Sequence, residues 1–400
     1  MNKKFMAVAL LLAACFMVFA GGASEAKSDK VVLTVWESLQ GPDEFIKQAG
    51  AAFTAKYPNI EINFVNVESN DAANQIALDG PAGVGADLFA AQHDQIGKLV
   101  SQGLVNPVAN PDAIKGSLLG ACIQGATYQG TMYGYPVSAE TYALFYNKDL
   151  VSEDEIPSTW EGLAEWSAEF SKKNPGKYGF VMDVGNAYYS IIFASANGNR
   201  LFGESGEDFS QSYVNTDAAV KGMTVYQNIR KIGLDVPAGD LTGGICDAAF
   251  TSGNAAMIVT GPWNLGPYKK AGVNYGVIPL PSLPGDTTPS PSFSGIRCMF
   301  VSAFSDHPAE AALFAEFLLS DEMQQLRYEL TNGALPSIST ELDNEFALAF
   351  LEQLDYAYPM RTGPQMDKYW EVFGAASSNI WNGADVKAEL DAANASIIAK

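Results

Sequence analysis

The chain has 400 residues, 48% of them hydrophobic, and a net charge of −21. That length suggests two domains with ample core material, and the acidic balance excludes the basic surface needed to neutralise nucleic-acid phosphates or anionic lipid headgroups. The two histidines, His93 and His307, and the four cysteines lack zinc-site spacing, so neither a metal nor a cofactor is expected.

Met1-Asn2-Lys3-Lys4 and the apolar run over residues 5–20 form the charged head and short body of a secretory signal. The run is too short to span a bilayer. Two processing outcomes stay open. Val18-Phe19-Ala20 before Gly21 suits cleavage after Ala20, whereas Leu12-Ala13-Ala14-Cys15 suits a lipoprotein acylated at Cys15. The apolar stretch 16–19 favours cleavage, because a lipid anchor usually leads into a polar tether. Either route places the protein on the periplasmic or extracellular face of the cytoplasmic membrane, with Cys15 as its one route to the lipid. Residues 21–30 read as a polar leader. Cys122, Cys246 and Cys298 remain in the mature chain, as one disulfide and a thiol or as three buried thiols.

Strand and helix signals then alternate. Residues 31–36 read as a strand, and 42–57 as a helix with Phe45, Ile46, Ala49 and Phe53 on one face. Next come a strand at 60–67, a helix at 71–78, a short buried strand at 87–90 and a helix at 95–102. The glycine-rich stretch 80–85 precedes a strand, the wrong context for a dinucleotide loop, and reads as a turn. This order predicts a mainly parallel sheet with helices on both faces. Its ligand would lie beyond the carboxyl ends of the strands, near residues 37–40 and 92–95.

Residues 135–146 read as one long apolar strand interrupted by Glu140. A carboxylate there suits a strand that crosses between two lobes and accepts hydrogen bonds from ligand hydroxyls in their cleft. An edge-strand carboxylate facing water is the other reading. A second α/β set follows, with helices at 160–172, 188–196 and 217–232 and strands at 178–183 and 255–260. Five prolines between 279 and 291 lead into 293–304, which reads as the return to the first lobe. Helices at 308–319, 322–329, 340–354, 365–382 and 385–398 complete the chain. The expected lobes are 31–138 with 294–339 and 142–292 with 343–400, joined by crossings near 138–141, 293–296 and 340–343.

Four motifs occur in order: Tyr146-Asn147-Lys148-Asp149-Leu150, Pro157-Ser158-Thr159-Trp160-Glu161, Gly261-Pro262-Trp263 and Pro364-Gln365-Met366. Together they resemble the extracellular solute-binding proteins of carbohydrate ABC importers, the maltose-binding family most closely, over nearly all of the chain after residue 31. The resemblance implies a two-lobed α/β periplasmic-binding-protein fold of type II, with discontinuous lobes joined by hinge crossovers. It also implies a monomer that captures a sugar by hinge closure and delivers it to a membrane permease. By motif it assigns ligand contact to Asp94, Glu140, Tyr188, Trp263 and Trp370, the carboxylates for hydroxyls and the aromatics for the C–H faces of a sugar ring.

Several positions depart from the family pattern. Ala91-Gln92 stands where a tryptophan is expected, Gly41 and Gln95 replace basic residues, and Asn186 replaces an acidic one. Ser38, Gln40, Asn70 and Glu371 are the candidates to compensate, so a sugar is expected without commitment to maltose. One alternative is a polyamine or cationic peptide held by Asp94, Glu140, Glu371 and the tryptophans. A second is a glycosidase with Asp94 and Glu140 on opposite cleft walls. Walker, nucleophile-elbow and zinc-hydrolase motifs are absent, and no enzyme is expected. Trp160 is placed on a helix outside the cleft.

Overall fold

The computed structural model describes residues 30–204, 206 and 208–399. The expected signal, Cys15 and the leader up to residue 29 lie outside the described residues. The strands are β1 (Val31–Glu37), β2 (Ile60–Asn66), β3 (Leu88–Gln92), a small hairpin of β4 (Thr127–Tyr128) and β5 (Thr131–Met132), β6 (Gly134–Glu140), β7 (Ala143–Asn147), β8 (Tyr178–Val181), β9 (Ala255–Thr260), β10 (Tyr275–Ile278), β11 (Phe293–Val301) and β12 (Tyr358–Pro359).

Two sheets make the two lobes. The first runs β11-β3-β1-β2, with β6 and β12 also on β11, and the second runs β10-β7-β9-β8. Both sheets are mixed. Among the described residues three of the first sheet's five pairings are parallel, β11 with β12 included, whereas the expectation of a mainly parallel sheet needs correction for the second, where two of three are antiparallel. β1 is parallel to β2 and β3, but β11 returns from the second lobe and lies antiparallel to β3 and β6. In the second sheet β7 is antiparallel to both β9 and β10, leaving β8 with β9 as the parallel pair.

The stretch around Glu140 is two strands rather than one. β6 ends at Glu140 in the first sheet and β7 begins at Ala143 in the second, so Thr141 and Tyr142 carry the chain between lobes. Both are tied to the returning chain. The Thr141 hydroxyl donates to Phe293 O at 2.9 Å, and the Tyr142 hydroxyl accepts from Phe293 N at 3.1 Å. A third crossing precedes helix Glu345–Leu354, whose cap, Asn344, accepts from Phe346 N at 2.8 Å. That cap sets the helix start five residues later than the pattern suggests.

Local sequence explains the elements that position the site. Helix Pro42–Lys56 has proline at its start, Asp43 and Glu44 in the first turn and Lys56 in the last, matching its dipole. Phe53 packs its apolar face on Phe314 and Phe317. In the second lobe Gly222 lets helix Asp217–Gly233 touch helix Ala187–Ala194, since a Cβ there would lie 1.8 Å from Phe193 O. Trp160 lies outside the cleft but fully in the core, its Nε1 donating to Ser290 Oγ at 2.9 Å. Cys122, Cys246 and Cys298 are buried and unbridged, and burial pushes the Cys122 thiol up to about 12. Among the described residues no helix is long and apolar enough to cross a membrane.

Candidate functional site

The strand ends of the first lobe form the floor of a cavity of about 650 Å³. Leaving β1, Glu37 is buried against Arg297 of β11, and the pair makes two hydrogen bonds, one of them Arg297 Nε to Glu37 Oε2 at 3.2 Å. Arg297 Nη2 also donates to Ser38 Oγ at 2.9 Å, and that oxygen accepts from Ser69 N at 3.1 Å. Burial works against the guanidinium charge, but the Glu37 carboxylate outweighs it and raises the Arg297 pKa. Glu140, at the end of β6, accepts from Gln92 Nε2 at 3.2 Å and lies 4.0 Å from Arg327 Nη2. Burial lowers Arg327 to about 10. Gln92 Oε1 is buried and has no hydrogen-bond partner among the described residues.

The second lobe supplies aromatic plates. Asn186 caps helix Ala187–Ala194 by accepting from Tyr188 N at 2.9 Å, which fixes Tyr188 at the cleft edge. The Tyr188 ring lies 6.1 Å from Trp263 and 6.4 Å from Trp370, centroid to centroid. Trp263 sits in the turn Pro262–Asn264 and Trp370 in helix Pro364–Trp381. Trp370 Nε1 reaches across the cleft to Asp94 Oδ2 at 3.2 Å. An indole and a carboxylate thus bridge the lobes.

Asp94, Glu140, Tyr188, Trp263 and Trp370 therefore line one cavity, together with Ser38, Gln40 and Asn70. Glu371 does not line it; one residue past Trp370 on the same helix, it is turned about 100° away and is exposed. Asp94 and Glu140 are not on opposite walls, because β3 and β6 flank β11 in one sheet and both carboxylates belong to the first lobe. Sequence reasoning missed Arg297 and Asn264, and reached Glu37 only as part of the stretch 37–40 at the end of the first strand. The signal for Arg297 was a single charge inside the apolar run 296–301.

Residues 36–325 match the bacterial extracellular solute-binding protein family. The chain belongs to that family. It is 34% identical over 402 residues to the galactooligosaccharide-binding protein of Bacillus subtilis, covering 97% of this chain and 93% of that protein. It is 29% identical over 384 residues to the maltotriose-binding protein of Pyrococcus abyssi, covering 92% and 81%. The solved Thermus thermophilus maltotriose binding protein bound with maltotriose superposes with a TM-score of 0.83 at 29% identity, covering 92% of this chain and 99% of that one. A cyclo/maltodextrin-binding protein complexed with maltotetraose gives 0.76 at 30% identity, covering 94% and 97%. The two-lobed type II architecture expected from the motifs is the one these neighbours have.

In this solute-binding protein two adjacent buried groups titrate in opposite senses. His93 Nδ1 accepts from Ile296 N at 3.0 Å, so Nε2 carries the proton toward Met360 O at 3.0 Å. Burial, with Arg361 adding to it, holds His93 down at about 4. Burial pushes Asp94 up to about 6, against the Trp370 N–H. The unfolded chain protonates His93 near 6.5, so His93 costs stability as pH falls from 6.5 toward 4. Asp94 does the reverse, because the folded chain takes up its proton near 6 and the unfolded chain only near 3.8. The two contributions largely cancel. Asp94→Asn removes the compensating one, so denaturant melts of the variant should lose on the order of 3 kcal/mol more than wild type between neutral and acid pH. Equal acid sensitivity in the two proteins would disprove the compensating contribution of Asp94.

Proposed function

We propose that this solute-binding protein captures an oligosaccharide between its lobes and hands it to the permease of an ABC importer. The observation that carries the reading is one cavity in which Tyr188, Trp263 and Trp370 face Asp94, Glu140 and Gln92. Flat aromatic faces suit the C–H patches of sugar rings, and the acceptors suit their hydroxyl rims. The relatives named for galactooligosaccharide and maltotriose support the same class. The protein works as a monomer outside the cytoplasm, and binds without turnover. A glycosidase has less support, because the relatives are binding proteins and the two carboxylates come from one lobe.

A thermal-shift panel of maltotriose, galactosyl trisaccharides, spermidine and short basic peptides tests this. A saccharide present at ~100 times its Kd should add about 2.7 kcal/mol to stability. Stabilisation by spermidine or the peptides alone would overturn the sugar reading. Closure is expected to be a hinge rotation about Thr141–Tyr142 and Phe293, the bonded pair of crossings; periplasmic binding proteins are among the standard cases of hinge closure. Small-angle scattering should show a more compact particle with saccharide bound, and an unchanged radius of gyration would contradict hinge closure.

A further inference from the structure

Most buried donors around the cavity are already engaged, although Nη1 of Arg327, outside the lining and beside Glu140, has no hydrogen-bond partner among the described residues. Arg297, the one cation lining it among the described residues, is held by Glu37 and Ser38. Gln92 Nε2 is directed to Glu140 at 3.2 Å, and Trp370 Nε1 to Asp94 at 3.2 Å. Asn264 Nδ2 donates to Thr260 Oγ1 at 2.8 Å and Asp247 Oδ1 at 2.9 Å, and Asn186 Nδ2 to Asp183 Oδ2 at 3.4 Å. Lys98 lines an adjoining cavity with Asp94 but donates to Asn74 Oδ1 at 2.6 Å.

Among the charged groups of the lining, carboxyls outnumber the one cation, while the uncommitted amides of Gln40, Asn70 and Gln95 are neutral. Gln92 Oε1 is buried and unpartnered, an arrangement that costs stability unless a ligand donates to it. Glu68, Asp94 and Glu140 add three carboxyl groups to the lining, and Arg327 offsets the last of these from 4.0 Å away. The hydroxyl of Tyr188 and the indole N–H of Trp263 are uncharged, so neither supplies a counter-ion for an anion.

Building on the sugar-binding reading, we propose that the cleft selects by charge and hydrogen-bond direction. It takes neutral or free-amine oligosaccharides and rejects those with a carboxylate on the rings that reach Gln92 and Asp94. Juxtaposed like charges and unpaired acceptors both oppose a uronate, whereas an ammonium meets a carboxylate and donates.

The test is calorimetry with maltotriose and a galactosyl trisaccharide, each beside derivatives in which primary hydroxyls are replaced by carboxylate or by amine. In the series whose parent binds, the uronate should be at least ~100-fold weaker than the parent, and the amine at least as tight. Gln92→Arg, which places a cation and donors where the acceptor stood, should narrow the gap between uronate and parent ~10-fold or more. Asp94→Asn should shrink the amine-to-uronate ratio. A uronate that binds wild type within threefold of its neutral parent overturns the charge rule and leaves the sugar reading standing. Silence from every saccharide overturns the sugar reading and the charge rule with it.

Discussion

Trp370→Ala is expected to lower saccharide affinity by ~100-fold or more, the largest loss of any single aromatic truncation in the cleft. Two losses combine. The first is a contact plate, since a buried aromatic anchor commonly costs ~2 kcal/mol or more when cut to alanine. The second is the N–H that Asp94 accepts at 3.2 Å across the lobes; stripping a buried carboxyl group of its donor adds ~1–3 kcal/mol of desolvation penalty. Trp263 is 37% exposed, so Trp263→Ala should cost less, ~20-fold. Trp160 is unsuitable as a control because it is fully buried and bonded to Ser290, and removing it tests folding. Trp166, half-buried and stacked on Phe170 at 5.0 Å on an outer helix, serves better. Calorimetry on folded variants decides the matter, and wild-type affinity in Trp370→Ala would remove this tryptophan from the site.

Arg297→Met should destabilise the protein by ~3–5 kcal/mol, because it leaves Glu37 buried without its counter-charge. Glu37 and Arg297 are 2% and 6% exposed, too dry for water to substitute. The pair is not thereby a net source of stability, since taking both charges out of water offsets most of their attraction. The double variant Glu37→Leu with Arg297→Met should therefore recover much of the loss. Urea denaturation of the two single variants and the double variant measures this. A loss below ~1 kcal/mol in Arg297→Met would mean that the pair is solvated, contrary to its burial. The expected benefit of the ion pair is positional: it ties the end of β1 to β11 and holds Ser38 at the cavity floor.

Sequence alone determined what depends on near neighbours. The apolar spacing of Phe45, Ile46, Ala49 and Phe53 specified a helix, and alternating strand and helix signals specified the α/β class. The motifs around Trp263 and Trp370 pointed to the cleft only through their joint resemblance to the solute-binding family, and both tryptophans line the cavity. Tertiary structure decided the direction of β11 and everything that follows from it. Periodicity reports which face of a strand is buried, not which neighbour it meets or in which direction it runs. The antiparallel return of β11 puts Asp94 and Glu140 in one lobe, turns Gln92 onto Glu140, and brings Arg297 to Glu37 across 260 residues of chain. Charge pairing over that separation is set by strand register, and only the folded sheet has a register to read.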